Sequence, residues 1–326
     1  MRDIPADAVP VRPADPVDPR QDTAEHTGDP WSVSVVIPTR GRPELALAAV
    51  RSALGQTRSP WEVLLVVDGP DPVTEEGVRD VDDPRFRLLV LPENVGAGGA
   101  RNAGVRAAKG AWIAFLDDDD TWRPAKLERQ LAALASRPDA ARTVLGTGTV
   151  WHTGRATHTW PLRAPRPGET VGEYLFVRDR AGEGMLPTPR ILLPRALAAT
   201  CPMPTHLRTH EEWDWMLELE KHGARFDVVL DPLVDVDARP RRASRSQGNR
   251  WRVSLAWALD RAEDLGPRAF SALVLTEVAR GAAQGRAGLA AHLAIAAVAL
   301  TGRPRLRDVA RFLARPLTLR LGRGAA

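Results

Sequence analysis

Four consecutive carboxylates, Asp117 to Asp120, are the residues whose type and spacing point most directly to chemistry. Adjacent carboxylates repel one another, so holding them at the end of a buried strand costs stability unless a cation binds. Hard divalent ions such as Mg²⁺ and Mn²⁺ prefer carboxylate and phosphate oxygens as ligands. The run predicts a site for Mn²⁺ or Mg²⁺ beside a diphosphate. The alternative is a solvated acidic turn that caps the following helix.

Two further segments offer groups that suit a nucleotide. The glycine-rich stretch 94–104 (NVGAGGARNAG) can present backbone N–H groups, including that of Gly98, to phosphate. It is not a dinucleotide fingerprint, because Arg101 occupies the position of the third glycine. Arg101 can instead donate to a base or a phosphate, and close packing of a helix on a sheet is the alternative role for this stretch. Asp68 can accept from a base such as uracil, or it simply forms the turn with Gly69.

Glu211 and Glu212 open a predicted helix, Thr209–Lys221, and are the candidates for a general base. Thr209-x-x-Glu212 also fits a capping box, in which Glu212 turns back towards its own helix. From spacing alone the cap is preferred. The loop Arg239–Arg245 (RPRRASR) either clamps a diphosphate or is a solvated basic loop.

The aromatic and histidine residues of the variable half give weaker signals. His152 and His158 lack a metal-ligand spacing and are interpreted as surface or acceptor-cleft residues. Trp151, Trp160 and Trp215 are the candidate stacking surfaces for an acceptor, although core packing is the commoner role of such side chains.

Short apolar, β-branched runs alternate with helical patterns in the first third of the chain, which predicts a mostly parallel sheet. The predicted strands are Ser32–Pro38, Trp61–Val67, Phe86–Leu91 and Trp112–Leu116, with helices from Pro43, over Asn94–Gly110 and from Pro124. Ligands of such sheets bind beyond the carboxyl ends of the strands. Thr39-Arg40-Gly41, Asp68-Gly69 and the aspartates fall there. Further strands are predicted at Thr143–Val150, Arg190–Leu193 and Phe226–Leu230, and helices from Trp251.

Composition divides the chain into three parts. Residues 1–30 hold six prolines and predict a disordered leader. Residues 31–240 form one α/β domain, with a nucleotide-binding half (31–123) and an acceptor half (124–240). Residues 241–326 form a basic loop and a helical extension.

Charge and cysteine content bear on the compartment and the partners. A single cysteine, and an N-terminal segment without an apolar core, lead us to expect a cytoplasmic protein. Residues 301–326 carry seven arginines and one aspartate. This basic end either contacts anionic lipid at the inner face of the membrane or is simply solvated. No nucleic-acid partner is expected.

Together these motifs resemble the family-2 inverting glycosyltransferases of the GT-A fold over about residues 32–235. SVVIPTRGRPEL, VVDG, NVGAGGARNAGVRAAKGAWIAFLDDDDTWRPAKLERQ and EEWDWMLEL follow that family's pattern in order and spacing. The resemblance implies a Rossmann-like, mostly parallel central sheet flanked by helices, followed here by a helical C-terminal extension. It also implies transfer of a sugar from a nucleoside-diphosphate sugar, UDP-linked by preference, to a carbohydrate, lipid-linked or small-molecule acceptor.

The resemblance assigns roles residue by residue. Asp117-x-Asp119 matches the D-x-D element, with Asp119 as metal ligand, Asp117 at ribose and metal, and Asp118 as the alternative ribose contact. Glu212 matches the base, and Glu211 the acid before it. The residues placed at the nucleotide are Pro38, Thr39, Arg40, Asp68, Gly98 and Arg101. Two departures stand out: the base position is usually aspartate, and Val67 replaces an aspartate before Asp68.

Two other functions remain open from the sequence. A sugar-phosphate nucleotidyltransferase would share the α/β fold and the metal, but it would use a triphosphate and release pyrophosphate. A catalytically inactive nucleotide-sugar-binding module would bind the donor without turnover.

Overall fold

The computed structural model describes residues 29–154, 156–238, 250–285 and 287–321. The predicted leader lies outside the described residues except for its last two, and the predicted basic loop Arg239–Arg245 lies outside them entirely.

The first part of the chain alternates strands and helices as the apolar runs predict. Its elements are β1 (Val33–Thr39), α1 (Pro43–Leu54), β2 (Glu62–Val67), α2 (Pro72–Gly77), β3 (Phe86–Val90), α3 (Gly96–Ala107) and β4 (Trp112–Phe115). Strands β3, β2, β1 and β4 lie side by side in that order, and all are parallel. Every residue of β1 and β2 is buried, because helices cover both faces of a parallel sheet.

The second part is mixed. Its elements are β5 (Asp120–Trp122), α4 (Lys126–Ala135), β6 (Thr143–His152), β7 (Thr157–Trp160), α5 (Val171–Phe176), β8 (Leu192–Pro194), α6 (Arg195–Thr200), α7 (Glu211–Lys221) and β9 (Arg225–Asp237), with 3₁₀ turns at Ala140–Arg142 and Thr188–Arg190. The sheet continues from β4 through β8, β6 and β9 to β5, with β7 beside β6. Strand β6 is parallel to β9 and antiparallel to β8 and β7. The predicted α/β fold with a Rossmann-like parallel half is confirmed.

Two predicted strands need correction, and one further strand was not predicted. The strand predicted at Arg190–Leu193 begins only at Leu192, because Pro189 favours the 3₁₀ turn Thr188–Arg190 before it. The strand predicted at Phe226–Leu230 continues to Asp237, through a register shift opposite Thr147–Thr149. Strand β5 was not predicted.

The C-terminal helices are α8 (Trp251–Asp260), α9 (Ala262–Leu273), α10 (Ala279–Gln284), α11 (Leu289–Leu300) and α12 (Leu306–Leu321), with a π-helical turn at Val274–Val278. The first of them dock on α7. The indole Nε1 of Trp257 donates to Asp214 at 2.9 Å, and Arg261 donates to Asp214 at 2.7 and 2.8 Å and to Glu218 at 2.7 Å. No helix among the described residues has the length and apolar content needed to cross a membrane.

Two apolar cores lie on the two faces of the sheet. Val35 and Ile37 of β1 face the core shared with α1 and α4, whereas Val36 faces the core shared with α3 and α7. The alternation follows from the period of two along a strand. It fixes which strand residues end at the rim where polar side chains collect.

Candidate active site

The carboxyl ends of β1, β2 and β4 meet at one rim, as the sequence predicts. Asp118 follows β4 and is buried, and its carboxylate accepts from Thr39 Oγ1 at 2.8 Å and from Arg42 Nη1 at 3.1 Å. Burial raises the pKa of Asp118 despite the hydrogen bond from Thr39 and the charge of Arg42. Asp118 thus ties the acidic turn to the end of β1.

The other three aspartates form a compact group. Carboxylate oxygens of Asp117, Asp119 and Asp120 lie within 4.8 Å of one another. Asp120 is the first residue of β5, where it pairs with Val236, so it does more than end a turn. Three converging carboxylates supply the hard oxygen ligands that Mg²⁺ and Mn²⁺ prefer. The residues present therefore fit a divalent cation.

Arg101 lies close both to this group and to Glu212. Its guanidinium is buried and donates through Nη2 to Asp117 Oδ1, while its Nε has no hydrogen-bond partner. Burial acts to lower the pKa of Arg101, but the charges of Asp117 and Glu212 outweigh it, so the pKa is raised. The arginine is a permanent positive charge between the acidic group and Glu212.

Asp68 holds the start of α3. Its carboxylate is buried and accepts from the backbone N–H groups of Val95 at 2.7 Å and Gly96 at 3.1 Å. The Asp68 carbonyl accepts from Arg40 Nη1. Gly69 has φ +91°, and a Cβ there would lie 3.0 Å from the backbone nitrogen of Asn94, so the tight turn requires glycine. This arrangement brings β2 and the glycine-rich start of α3 together at the rim.

The remaining residues predicted at the nucleotide lie around this turn. Pro38 and Thr39 are buried at the end of β1, whereas Arg40 is exposed. Gly98 lies in the first turn of α3, where a Cβ would approach the carbonyl oxygen of Pro204 to 3.3 Å. The fold therefore gathers these residues on the same side as Asp68.

Glu212 lies in the first turn of α7, close enough to Arg101 for the two charges to interact. Its Oε1 accepts from the hydroxyl of Thr188 and from the Thr188 backbone N–H at 3.3 Å. Burial raises the pKa of Glu212, against the opposing effects of Arg101 and Thr188. A carboxylate with a raised pKa, held from one side, suits a general base.

The capping-box interpretation of Glu212 is wrong. The N-cap of α7 is His210, which has φ 68° and makes no side-chain cap hydrogen bond. Its ring stacks on Trp213 at 4.5 Å and its Nε2 lies 2.8 Å from Ser254 Oγ. Thr209 instead accepts from Arg250 at 2.7 Å. The Glu212 carboxylate is therefore bound by Thr188 and not by the start of its own helix.

Sequence reasoning missed three residues of the site: Arg42, Thr188 and Arg190. Arg42 bridges Asp118 and, at 3.3 Å, Asp119; its place three residues after Thr39 was the available signal. Arg190 is 1% exposed, its guanidinium lies 5.1 Å from the Trp151 ring, and burial lowers its pKa to about 10. Only tertiary contacts reveal Thr188 and Arg190.

The residues predicted on the acceptor side differ in their surroundings. His152 Nε2 lies 2.9 Å from Asp235, and His158 stacks on Trp160 at 5.1 Å. Trp215 is a core residue, 1% exposed, with its Nε1 donating to the carbonyl of Cys201, so its interpretation as a stacking surface is wrong.

Several known proteins resemble this chain in sequence. Residues 34–183 match the family described as Glycosyl transferase family 2. The amylovoran biosynthesis glycosyltransferase AmsB of Erwinia amylovora is 26% identical over 69% of this chain and 76% of its own length. The UDP-Glc:alpha-D-GlcNAc-diphosphoundecaprenol beta-1,3-glucosyltransferase WfgD of Escherichia coli is 37% identical over 32% of this chain and 42% of its own length.

Similarity in structure extends over more of the chain. The crystal structure of residues 1–349 of S. aureus TarS in complex with UDP-GlcNAc matches with a TM-score of 0.52 and 20% identity, over 70% of this chain and 66% of that one. At 20% identity the match supports the fold alone. The matched segments span between 30% and 76% of the length of the curated relatives considered.

Proposed function

We propose that this chain, whose residues 34–183 match the family described as Glycosyl transferase family 2, transfers a sugar from a nucleoside-diphosphate sugar to an acceptor hydroxyl by a single displacement. The observation that carries the proposal is the pairing of an acidic group with a separate carboxylate across one cleft. The charges of Asp117 and Glu212 both act on Arg101, and the charge of Asp117 also acts on Glu212, so the three groups lie close together. The acidic group suits a departing diphosphate, and Glu212 suits an attacking hydroxyl.

On the donor side, we assign the nucleotide to the rim formed by Thr39, Asp68 and the start of α3. UDP is the preferred nucleotide, supported by the UDP-GlcNAc complex of TarS and by the UDP-Glc donor in the name of WfgD. Pro38, Arg40, Gly98 and Arg101 line the same side. Asp117 and Asp118 are the candidates for the ribose.

Asp117, Asp119 and Asp120 would hold Mn²⁺ or Mg²⁺. When bound, the cation neutralises charge that develops on the leaving diphosphate. Asp119 is the metal ligand that the match to the D-x-D element assigns, and its side chain is one-third exposed. Asp118 stays bound to Thr39 and Arg42 and holds the turn in place.

On the acceptor side, Glu212 takes the proton from the attacking hydroxyl. Thr188 donates twice to Oε1, which leaves Oε2 of the carboxylate for the acceptor. Attack from this face, opposite the diphosphate, inverts the anomeric configuration. Glu211, next to it on the same helix turn, adds negative charge near Arg101.

The acceptor is a carbohydrate, a small molecule or a lipid-linked sugar, and the C-terminal helices favour contact with an anionic membrane surface at the cytoplasmic face. Exposed residues of α11 are all apolar and lie on one side: Leu289, Ala290, Leu293, Ala294, Ala297 and Leu300. Leu306 and Leu313 of α12 are also exposed. The acid of this region, Asp308, is buried against Arg305, so exposed charge there is basic. Apolar faces beside arginines suit an interface with anionic lipid.

The experiment is Glu212→Gln, with Glu218→Gln on the same helix as control. We measure binding of UDP by thermal shift with and without Mn²⁺, and release of UDP from UDP-glucose and UDP-N-acetylglucosamine. Glu212→Gln keeps the UDP shift and loses UDP release by about 10²–10⁴-fold, whereas the control keeps both.

Three results would overturn the proposal. Wild-type protein that shows no nucleotide binding refutes the donor site. Pyrophosphate release from a nucleoside triphosphate and a sugar phosphate identifies a nucleotidyltransferase. Binding of UDP sugars without turnover, unchanged by Glu212→Gln, identifies an inactive binding module.

A further inference from the structure

A buried polar cluster lies directly behind the acidic turn and takes no part in the chemistry proposed above. It consists of Trp122, Lys126 and Gln130, which are at most 4% exposed. Lys126 Nζ lies 3.8 Å from the centre of the Trp122 ring and donates to Gln130 Oε1 at 2.7 Å. Burial lowers the pKa of Lys126 well below its usual range. Burying an amine without an opposite charge beside it lowers the stability of the fold. Its presence here therefore suggests that it maintains a necessary geometry.

The orientation of the Gln130 amide is fixed by two backbone carbonyls, which can only accept a hydrogen bond. The carbonyl oxygen of the amide therefore faces Lys126 Nζ, which donates to it at 2.7 Å. The amide nitrogen then faces the sheet, where it donates to the Leu145 carbonyl at 2.7 Å and to the Arg190 carbonyl at 3.0 Å. Both amide hydrogens and the oxygen have partners, so a rotated amide would lose all three hydrogen bonds.

The turn Thr188–Arg190 is the element that these side chains hold. Its Pro189 carbonyl accepts from Trp122 Nε1 at 3.1 Å, and its next carbonyl accepts from Gln130. The first residue of the same turn, Thr188, supplies both hydrogen bonds to Glu212. A short, connected path therefore runs from the end of β5, beside Asp120, through two consecutive carbonyls to Glu212.

We propose that Gln130, hydrogen-bonded to Lys126, is a positioning residue for Glu212 and acts through the turn Thr188–Arg190. The cluster fixes the distance between the acidic group, at the start of β5, and the carboxylate across the cleft. This inference rests on the proposed role of Glu212, because a positioning role needs a group to position.

Gln56 offers a matched control within the same fold. It is also buried, and its side chain also makes three hydrogen bonds: to the carbonyls of Ser52 at 3.1 Å and Arg123 at 3.0 Å, and from the backbone N–H of Leu127 at 3.0 Å. It anchors the start of α4, as Gln130 anchors its middle. Its three partners lie outside the turn Thr188–Arg190.

The test compares Gln130→Leu and Gln56→Leu in the full chain, with Lys126→Met as a second route to the same cluster. Hydrogen exchange at the amides of Arg190 and Ile191, which close the turn on Pro187 and Thr188, reports on the turn without any need for turnover. UDP release from UDP-glucose and UDP-N-acetylglucosamine gives kcat, the donor KM and the acid limb of the pH profile.

Gln130→Leu and Lys126→Met should accelerate exchange at the turn and lower kcat by about ten- to a hundredfold, with a donor KM close to wild type. The acid limb should move to higher pH, because weaker hydrogen bonds from Thr188 stabilise ionised Glu212 less. Arg101, Asp117 and Glu211, the other charged groups near Glu212 that lie outside the turn, remain in place. Arg190 belongs to the turn, and a loss of its positive charge near Glu212 would move the acid limb in the same direction. Gln56→Leu should change stability alone.

Equal exchange, equal kcat and an unmoved acid limb in the Gln130 and Gln56 variants would overturn the inference. Should Gln130→Leu fail to fold, Lys126→Met decides by the same criteria. A wild-type rate in Glu212→Gln is a different failure, since it removes the proposed function itself. If Glu212→Gln loses activity but Gln130→Leu behaves like Gln56→Leu, the positioning role is refuted and the proposed function stands.

Discussion

Replacing Asp68 by alanine tests whether this residue holds the fold as well as the nucleotide. The carboxylate is 3% exposed and accepts from the N–H groups of Val95 and Gly96 at 2.7 and 3.1 Å. A hydrogen bond to a charged acceptor contributes about 1.5–3 kcal/mol, and water entering the space left by the side chain recovers part of it. We expect Asp68→Ala to lower the free energy of unfolding by about 2–4 kcal/mol.

A destabilisation of that size is easy to measure. For a domain of about 150–250 residues, 1 kcal/mol shifts Tm by about 2–4 °C, which gives a fall of about 4–16 °C for Asp68→Ala. Urea denaturation supplies the free energy, and thermal melts with and without UDP supply the binding effect. The UDP-induced rise in Tm should shrink strongly in this variant, because the start of α3 is released.

Asp71→Ala is the matched control. Asp71 lies on the same turn and caps α2 by accepting from the Thr74 N–H at 3.2 Å, and it also accepts from the Gly41 N–H at 2.5 Å. Loss of a cap costs about 1 kcal/mol, and the effect of UDP should shrink less than in Asp68→Ala, because the start of α3 stays bound. A free energy of unfolding within about 0.5 kcal/mol of wild type in Asp68→Ala would refute the structural role and leave base recognition as the sole function of Asp68.

Ionisation, metal binding and the exposed C-terminal helices give three further tests. Burial raises the pKa of Glu212, and the ionised form is active, so kcat/KM for UDP release falls as the pH drops through that raised value; a profile without an acid limb contradicts the base assignment. Mn²⁺ at a hundred times its Kd should stabilise the fold by about 2.7 kcal/mol, and Asp119→Asn should lose most of this gain; an equal gain in the thermal melts rules out Asp119 as a ligand. Leu293→Glu with Leu300→Glu should weaken co-sedimentation with anionic vesicles at least about tenfold, whereas Leu230→Glu should not; equal binding by all three proteins excludes the apolar face of α11.

The parallel half of the sheet follows from local sequence. Val33–Thr39 and Glu62–Val67 are β-branched and apolar throughout, which is the pattern of strands covered on both faces. Pro43 and Asp71 begin the helices that follow these two strands, through a fixed φ and a side-chain cap. Because parallel strands end at one rim, the meeting of Thr39, Asp68 and the aspartates was predictable before any contact was known.

Strand β5 was not predictable in this way. It has three residues, and it exists because Asp120–Trp122 pairs with Val234–Val236, more than a hundred residues later in the chain. Local sequence there reads as a turn with a proline after it. The consequence is chemical, since this pairing brings Asp120 into the acidic group with Asp117 and Asp119.

The position of Glu212 is a tertiary property for the same reason. Sequence spacing favoured a cap formed with Thr209, which is a local hydrogen bond. In the fold, Thr209 accepts from Arg250 and the Glu212 carboxylate accepts from Thr188, a residue 24 positions earlier. The helix starts at His210, which has a left-handed backbone conformation and makes no side-chain cap hydrogen bond. Helix α7 therefore lacks the local cap between Thr209 and Glu212, and the Glu212 carboxylate is available for other contacts.

Buried charged groups are concentrated around Glu212, at the junction of the two halves of the sheet. Arg101 comes from the parallel half and Arg190 from the mixed half, and the charges of both act on Glu212. The positive charges of the two arginines do not lower the pKa of Glu212 enough to cancel the effect of its burial. A carboxylate that remains a stronger base than an exposed glutamate, yet stays fixed by Thr188, is what removal of a proton from a hydroxyl requires. The cost in stability is met by the apolar cores on either face, which hold both halves of the cleft in register.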